Sequence, residues 1–96
     1  MKPDNHQVWS NKGIALENLE RYEEAIIAYE KALEIQPDSH EAWFDKGTAL
    51  SHLERYEEAI AAYEKALEIQ PDYEVSIINL GLVKYEMKKI DEAIEH

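Results

Sequence analysis

Every glycine and every proline of the chain stands on one ladder: Gly13, Gly47 and Gly81 are 34 residues apart, and so are Pro3, Pro37 and Pro71. A fixed period of that length is the mark of stacked supersecondary units rather than of a single irregular core. The segments starting at His6 and His40 align without a gap, and Leu19 to Ile26 returns letter for letter as Leu53 to Ile60. A third, more diverged copy starts at Glu74. The chain therefore divides into a tail of a preceding unit (1–5), a first unit (6–39), a second (40–73) and a truncated third (74–96).

Between prolines, apolar residues recur at helical spacing in two blocks, so each unit reads as two helices and the chain as all-α. The pattern predicts helices over about Gln7–Leu19, Tyr22–Ile35, Glu41–Leu53, Tyr56–Ile69 and Val75–Met87, with a last one from Asp91 to the end. Asp38 followed by Glu41 has the spacing of a capping box, and Asp4 with Gln7 is similar. Pro37 and Pro71 end the preceding helices, because proline lacks an amide hydrogen and restricts the residue before it. Gly13, Gly47 and Gly81 are expected where helices approach closely, and Ala25, Ala59 and Ala93 where the pair crosses tightly.

The spaced residues Trp9, Gly13, Ala25, Tyr29, Ala32 and Pro37, repeated as Trp43, Gly47, Ala59, Tyr63, Ala66 and Pro71, resemble the signature of the tetratricopeptide repeat family. The third unit keeps Leu80, Gly81 and Ala93, but has Ile77 in the tryptophan's place and Lys84 where Leu16 and Leu50 stand. The resemblance implies a right-handed superhelical stack of antiparallel helix pairs. It also implies a non-catalytic protein-interaction module with a peptide-receiving concave groove. Each pair has apolar surface on two sides and buries it only against its neighbours. The third unit's short second helix makes the chain look like an excerpt of a longer array.

The two complete units differ at nine positions, and seven of these lie on the first helix of the unit. At about 100° per residue, the substitutions Gln7/Glu41, Ser10/Phe44, Asn11/Asp45, Ile14/Thr48, Glu17/Ser51 and Asn18/His52 fall on one arc, with Ser39/Tyr73 beside it. Trp9, Lys12, Gly13, Ala15, Leu16 and Leu19 hold the opposite arc unchanged. A solvated face free to drift would vary in the same way. The apolar content of the arc favours a binding surface: Ile14, Phe44 and Tyr73, continued by Val75, Ile78, Leu82 and Tyr85 in the third unit. Glu17, Glu41, Asp45 and Glu86 give it an acidic rim. The expected ligand is a protein or peptide segment with apolar anchors and basic flanks. The alternative is a structural spacer, or a unit that self-associates through its C-terminal end. Some members of the family clamp the terminal carboxylate of chaperone tails with Lys, Arg and Asn. The matching positions here are Ser10, Ile14, Asp45, Val75 and Asn79, so that mode is not expected.

Composition excludes other classes. With 21 Asp and Glu against 10 Lys and Arg, the net charge of -11 repels nucleic-acid phosphates and anionic lipid. The chain has no cysteine, which removes disulfides, thiol nucleophiles and thiolate metal sites. Val75 to Val83, the most apolar run, is broken by Ser76, Asn79 and Gly81 and falls short of a membrane span. A cytoplasmic setting is expected. His40-Glu41 opens like a zinc-protease helix, but Phe44 stands where the second histidine belongs. The pairs Glu23-Glu24 and Glu57-Glu58 point apart on a helix, and acidic side chains in a first turn answer the helix dipole. No phosphate loop, calcium loop or nucleophile elbow is present, so neither catalysis nor a cofactor is expected.

Overall fold

A computed structural model describes residues 5–95, and it is helical throughout apart from short turns. Five helices follow one another: α1 (Asn5–Asn18), α2 (Tyr22–Ile35), α3 (His40–His52), α4 (Tyr56–Ile69) and α5 (Glu74–Glu95). Each packs on its chain neighbours, α1 with α2, α2 with α3, α3 with α4 and α4 with α5, while α1, α3 and α5 meet along one side.

The core is built from positions that the first two units share. Tyr29 and Tyr63 are fully buried, with Ala25, Ala59, Ala32, Ala66, Ala49 and Leu50 around them. Tyr29 lies over Gly13 and Tyr63 over Gly47, so closely that a Cβ on Gly13 would sit 2.5 Å from Tyr29 Cε1 and one on Gly47 2.8 Å from Tyr63 Cδ1. The glycines are therefore the sockets of the two aromatic rings. The ring hydroxyls point on toward the other side of α1 and α3, where Tyr29 donates to Glu17 Oε1 at 2.7 Å and Tyr63 to Thr48 Oγ1 at 3.1 Å. Between units, Ser76 at 0 % exposure donates to the Tyr63 carbonyl at 3.0 Å, and Lys46 pairs with Glu30 at 3.2 Å.

The turns inside the first two pairs are alike. Glu20 and Glu54 both take a left-handed φ of 61°. Their amides, and those of the next residue, bond back into the helix: Glu20 N to Glu17 O at 2.9 Å and Arg21 N to Leu16 O at 2.9 Å. This is the bonding pattern of a Schellman motif made without glycine. Arg21 and Arg55 then tie down the first turn of α2 and α4 through forked bonds to Glu24 and Glu58, between 2.5 and 2.8 Å. A left-handed glutamate costs about 1–2 kcal/mol against glycine's entropy cost of about 0.5–1 kcal/mol. Glu54→Gly is thus expected to stabilise the fold by about 0.5 kcal/mol, read as a higher urea midpoint, whereas a lower midpoint would show that the turn is unstrained.

Three expectations are corrected. The predicted helices Val75–Met87 and Asp91 onward are one helix, α5, which runs straight through Lys88, the counterpart of Glu20 and Glu54. In the first two units the left-handed turn is offset by the burial of Ala25, Tyr29 and Ala32 or of Ala59, Tyr63 and Ala66 on the facing helix. After Lys88 the described residues offer only Ala93 of that set, and it is exposed, as is Ile94 beside it at 78 %. Lysine is a good helix former, so the helix continues. For the same reason Gly81 is not a close-approach position: nothing lies within 4 Å of where its Cβ would be. Finally, α3 is capped by Ser39, whose Oγ accepts from Ala42 N at 3.3 Å, while Asp38 accepts from the Gln36 side-chain amide. The Asp4 cap lies outside the described residues.

Candidate functional site

The variable arc of α1 and α3 faces one cavity of about 290 Å³, open to solvent. From α1 it is lined by Gln7, Ser10 and Ile14 together with His6, and from α3 by Glu41, Phe44 and Asp45, with Ser39 and Tyr73 closing its end. Seven of the residues expected from sequence thus meet: Gln7, Ser10, Ile14, Glu41, Phe44, Asp45 and Tyr73. A second depression of about 220 Å³ between α3 and α5 gathers Thr48, Ser51, His52 and Leu82 with Tyr63, Asn79 and Val83. Glu17 lines neither, but accepts the Tyr29 hydroxyl beneath the first. Asn18, Val75, Ile78 and Tyr85 are not drawn into either cavity, and the last three are exposed.

The apolar wall of the first cavity is an aromatic relay. Phe44 lies against Tyr63 at 5.6 Å between ring centres and edge-on to Tyr73 at 5.5 Å, and His40 meets Tyr73 edge-on at 4.7 Å. Such pairs fix the ring planes beyond what burial alone would do. Tyr73 replaces the Ser39 of the preceding unit, so the wall exists only at this junction. His52, from the variable arc of α3, stacks on Tyr22 with ring centres 4.5 Å apart.

The floor is acidic. Asp45 is partly buried, and burial first, then the charges of Glu17 and Glu41, push its carboxyl up to about 7. Tyr29 is raised above the ordinary phenol range by burial and by its bond to Glu17. Ser10 is only 8 % exposed, and its hydroxyl bonds to no described residue. No buried polar side-chain atom among the described residues is sealed off without a partner, so the Ser10 hydroxyl opens on the cavity. The other hydroxyls nearby are engaged, Thr48 with the Phe44 carbonyl at 3.2 Å and Ser76 with that of Tyr63. Sequence reasoning named Ser10 and Asp45 as variable positions, but the crowding of Asp45 against Glu17 depends on how closely α1 and α3 approach.

A third hollow, about 370 Å³, lies where the end of α5 passes the start of α4, between Met87, Ile90 and Tyr56. It follows from the continuous α5 and was not visible in the repeat pattern. Among the described residues no group of three or more His, Asp or Glu is arranged to hold a metal ion, and no helix is long and apolar enough to cross a membrane.

Known proteins share this architecture. A MamA variant superposes with a TM-score of 0.80 at 28 % identity, over 98 % of this chain and 69 % of that one, and a second MamA variant gives 0.79 at 28 % identity over 98 % and 52 %. The first tetratricopeptide domain of Spaghetti (RPAP3), bound to the HSP90 peptide SRMEEVD, superposes with a TM-score of 0.86 at 23 % identity, over 91 % of this chain and 69 % of that one. Comparison with curated proteins yields no match. The tetratricopeptide repeat profile matches residues 1–40 and 11–74. With that profile over most of its length and helix pairs locked by a tyrosine on a glycine, the chain belongs to the tetratricopeptide repeat family.

Proposed function

We propose that the chain is a non-catalytic interaction module whose concave side, formed by α1, α3 and α5, binds a peptide segment with apolar anchors and basic flanks. The observation that carries this reading is the convergence of Ile14, Phe44 and Tyr73 with Glu41 and Asp45 around one open cavity. Apolar walls supply affinity, and the acidic floor supplies orientation and rejects acidic partners. The Spaghetti domain shares the fold and binds an acidic HSP90 peptide. The groove proposed here has the opposite preference, with Asp45 at one of the positions where such tails are clamped.

Panning a random-peptide library on the immobilised chain tests the proposal. Selected peptides are expected to carry Arg or Lys beside aliphatic or aromatic residues. Ile14→Ala, which alters an exposed side chain, is expected to weaken the best of them about fivefold, and Phe44→Ala about tenfold or more. Enrichment of acidic peptides, or indifference to both variants, would overturn the groove assignment.

A second reading is self-association through α5, favoured by the exposure of Ile77, Ile78, Leu82 and Tyr85 and by the open space over Gly81. Sedimentation equilibrium decides it, since a monomer at every concentration removes this reading and leaves the first intact.

A further inference from the structure

The cavity between α1 and α3 combines three features that a general apolar groove does not need. Its wall is aromatic, with Phe44 and Tyr73 held at a fixed angle. Its floor is a carboxylate, Asp45, crowded by two others and bridged to no Lys or Arg among the described residues. Its side carries the buried Ser10 hydroxyl, free to accept or donate a hydrogen bond. A neutral apolar side chain seated here would leave Asp45 and Ser10 without partners, a desolvation penalty that outweighs the burial of a few methylene groups.

We infer that this cavity takes the guanidinium end of an arginine side chain, with its plane against one of the two rings, Phe44 or Tyr73, its edge toward the other, and its N–H groups toward Asp45 and Ser10. The assignment rests on the groove reading above and names the group that anchors it. A guanidinium suits the site better than an ammonium. It is flat enough to lie on an aromatic face, is weakly hydrated, and offers several donors in a fork that matches a carboxylate and a neighbouring hydroxyl together. Glu41 at the cavity edge and Glu17 behind Asp45 add negative potential without occupying the fork.

Binding is then coupled to ionisation of Asp45. The groups around it are Glu17 and His6 from α1, Glu41 from α3, the Tyr29 and Tyr63 phenols from α2 and α4, and Tyr73 from the turn before α5, itself edge-on to His40. A guanidinium favours the charged carboxylate, so it binds better as pH rises through the range near 7 and releases a proton when it binds below that range.

The test uses the full chain, labelled with nitrogen-15, and blocked amino-acid amides as probes. Titration with Nα-acetyl-argininamide is expected to give saturable shifts at Ser10, Phe44, Asp45 and Tyr73, tightening about threefold between about pH 6 and about pH 8. The neutral isostere Nα-acetyl-citrullinamide is expected to bind at least about tenfold more weakly, and the lysine analogue to fall between them. Asp45→Asn should keep the fold, weaken the arginine probe about tenfold and remove most of the pH dependence. Equal binding of citrulline or lysine, shifts spread over Glu23, Glu24, Glu57 and Glu58 instead, or an unaffected Asp45→Asn would each overturn the assignment. Library-selected peptides that still bind while the arginine probe does not would remove this pocket alone; loss of both would remove the groove reading as well.

Discussion

Gly47→Ala is expected to destabilise the protein by about 1–2 kcal/mol and Gly47→Leu by about 3 kcal/mol, while Gly81→Ala stabilises it by up to about 1 kcal/mol. The three glycines occupy the same repeat position, so sequence alone assigns them one role. Their surroundings differ. A Cβ on Gly47 would stand 2.8 Å from both Cδ1 and Cε1 of Tyr63. That ring cannot swing aside: it is 1 % exposed, and its hydroxyl is tied to Thr48 at 3.1 Å. Gly13 is tighter still against Tyr29, whose hydroxyl is held by Glu17, so Gly13→Ala follows Gly47→Ala in sign. Gly81 has nothing within 4 Å, and there alanine brings only its better helix propensity. For a domain of this length, about 1 kcal/mol moves the midpoint of thermal unfolding by about 4–8 °C. Melting the three alanine variants by circular dichroism therefore separates them cleanly. Equal losses at Gly47 and Gly81 would mean that a side chain covers Gly81 in solution, which would favour self-association through α5.

What the sequence made legible follows the same division. The helix pairs were readable because two near-identical copies mark what packing holds constant, but the faces of α1 are less cleanly divided: the variable Ser10 is buried and the constant Leu19 is 64 % exposed. The single helix α5 was not, because repeat register marks Lys88 as a turn, whereas a left-handed residue persists only when the next helix buries enough to offset it. The cap of α3 was assigned to the wrong residue, Asp38 instead of Ser39, for a local reason. Asp38 and Ser39 are both able caps, and the choice depends on the backbone leaving Pro37, which spacing does not reveal. The candidate site was legible as an arc but not as a cavity. Gln7, Ser10, Ile14, Glu41, Phe44, Asp45 and Tyr73 converge because α1 and α3 approach closely. Val75, Ile78 and Tyr85 lie on the corresponding arc of α5, where no further helix of the described chain completes a second wall.

Asp45→Asn is expected to raise stability at about pH 8 by about 1–3 kcal/mol and to leave it nearly unchanged at about pH 4. The sign follows from the direction of the shift. Burial and the charges of Glu17 and Glu41 raise the folded-state carboxyl from 3.8 to about 7, so the native chain holds this proton more tightly than the unfolded chain does. The resulting stabilisation is complete below the unfolded value and is lost as pH rises through about 7. Asparagine keeps the shape of the protonated carboxyl and never acquires the charge, so the two proteins diverge as the solution becomes alkaline. The full shift would correspond to about 4 kcal/mol, and water in the open cavity reduces it toward the lower range. Thermal melts of both proteins across that pH interval measure the effect, with a gain of about 5–15 °C for the variant at the alkaline end. A loss of stability there would mean that a cation already neutralises Asp45 in the free protein, and the pocket would then be closed to an incoming arginine. A gain would show a carboxylate kept at the expense of the fold, which is the behaviour of a residue whose partner arrives with the ligand.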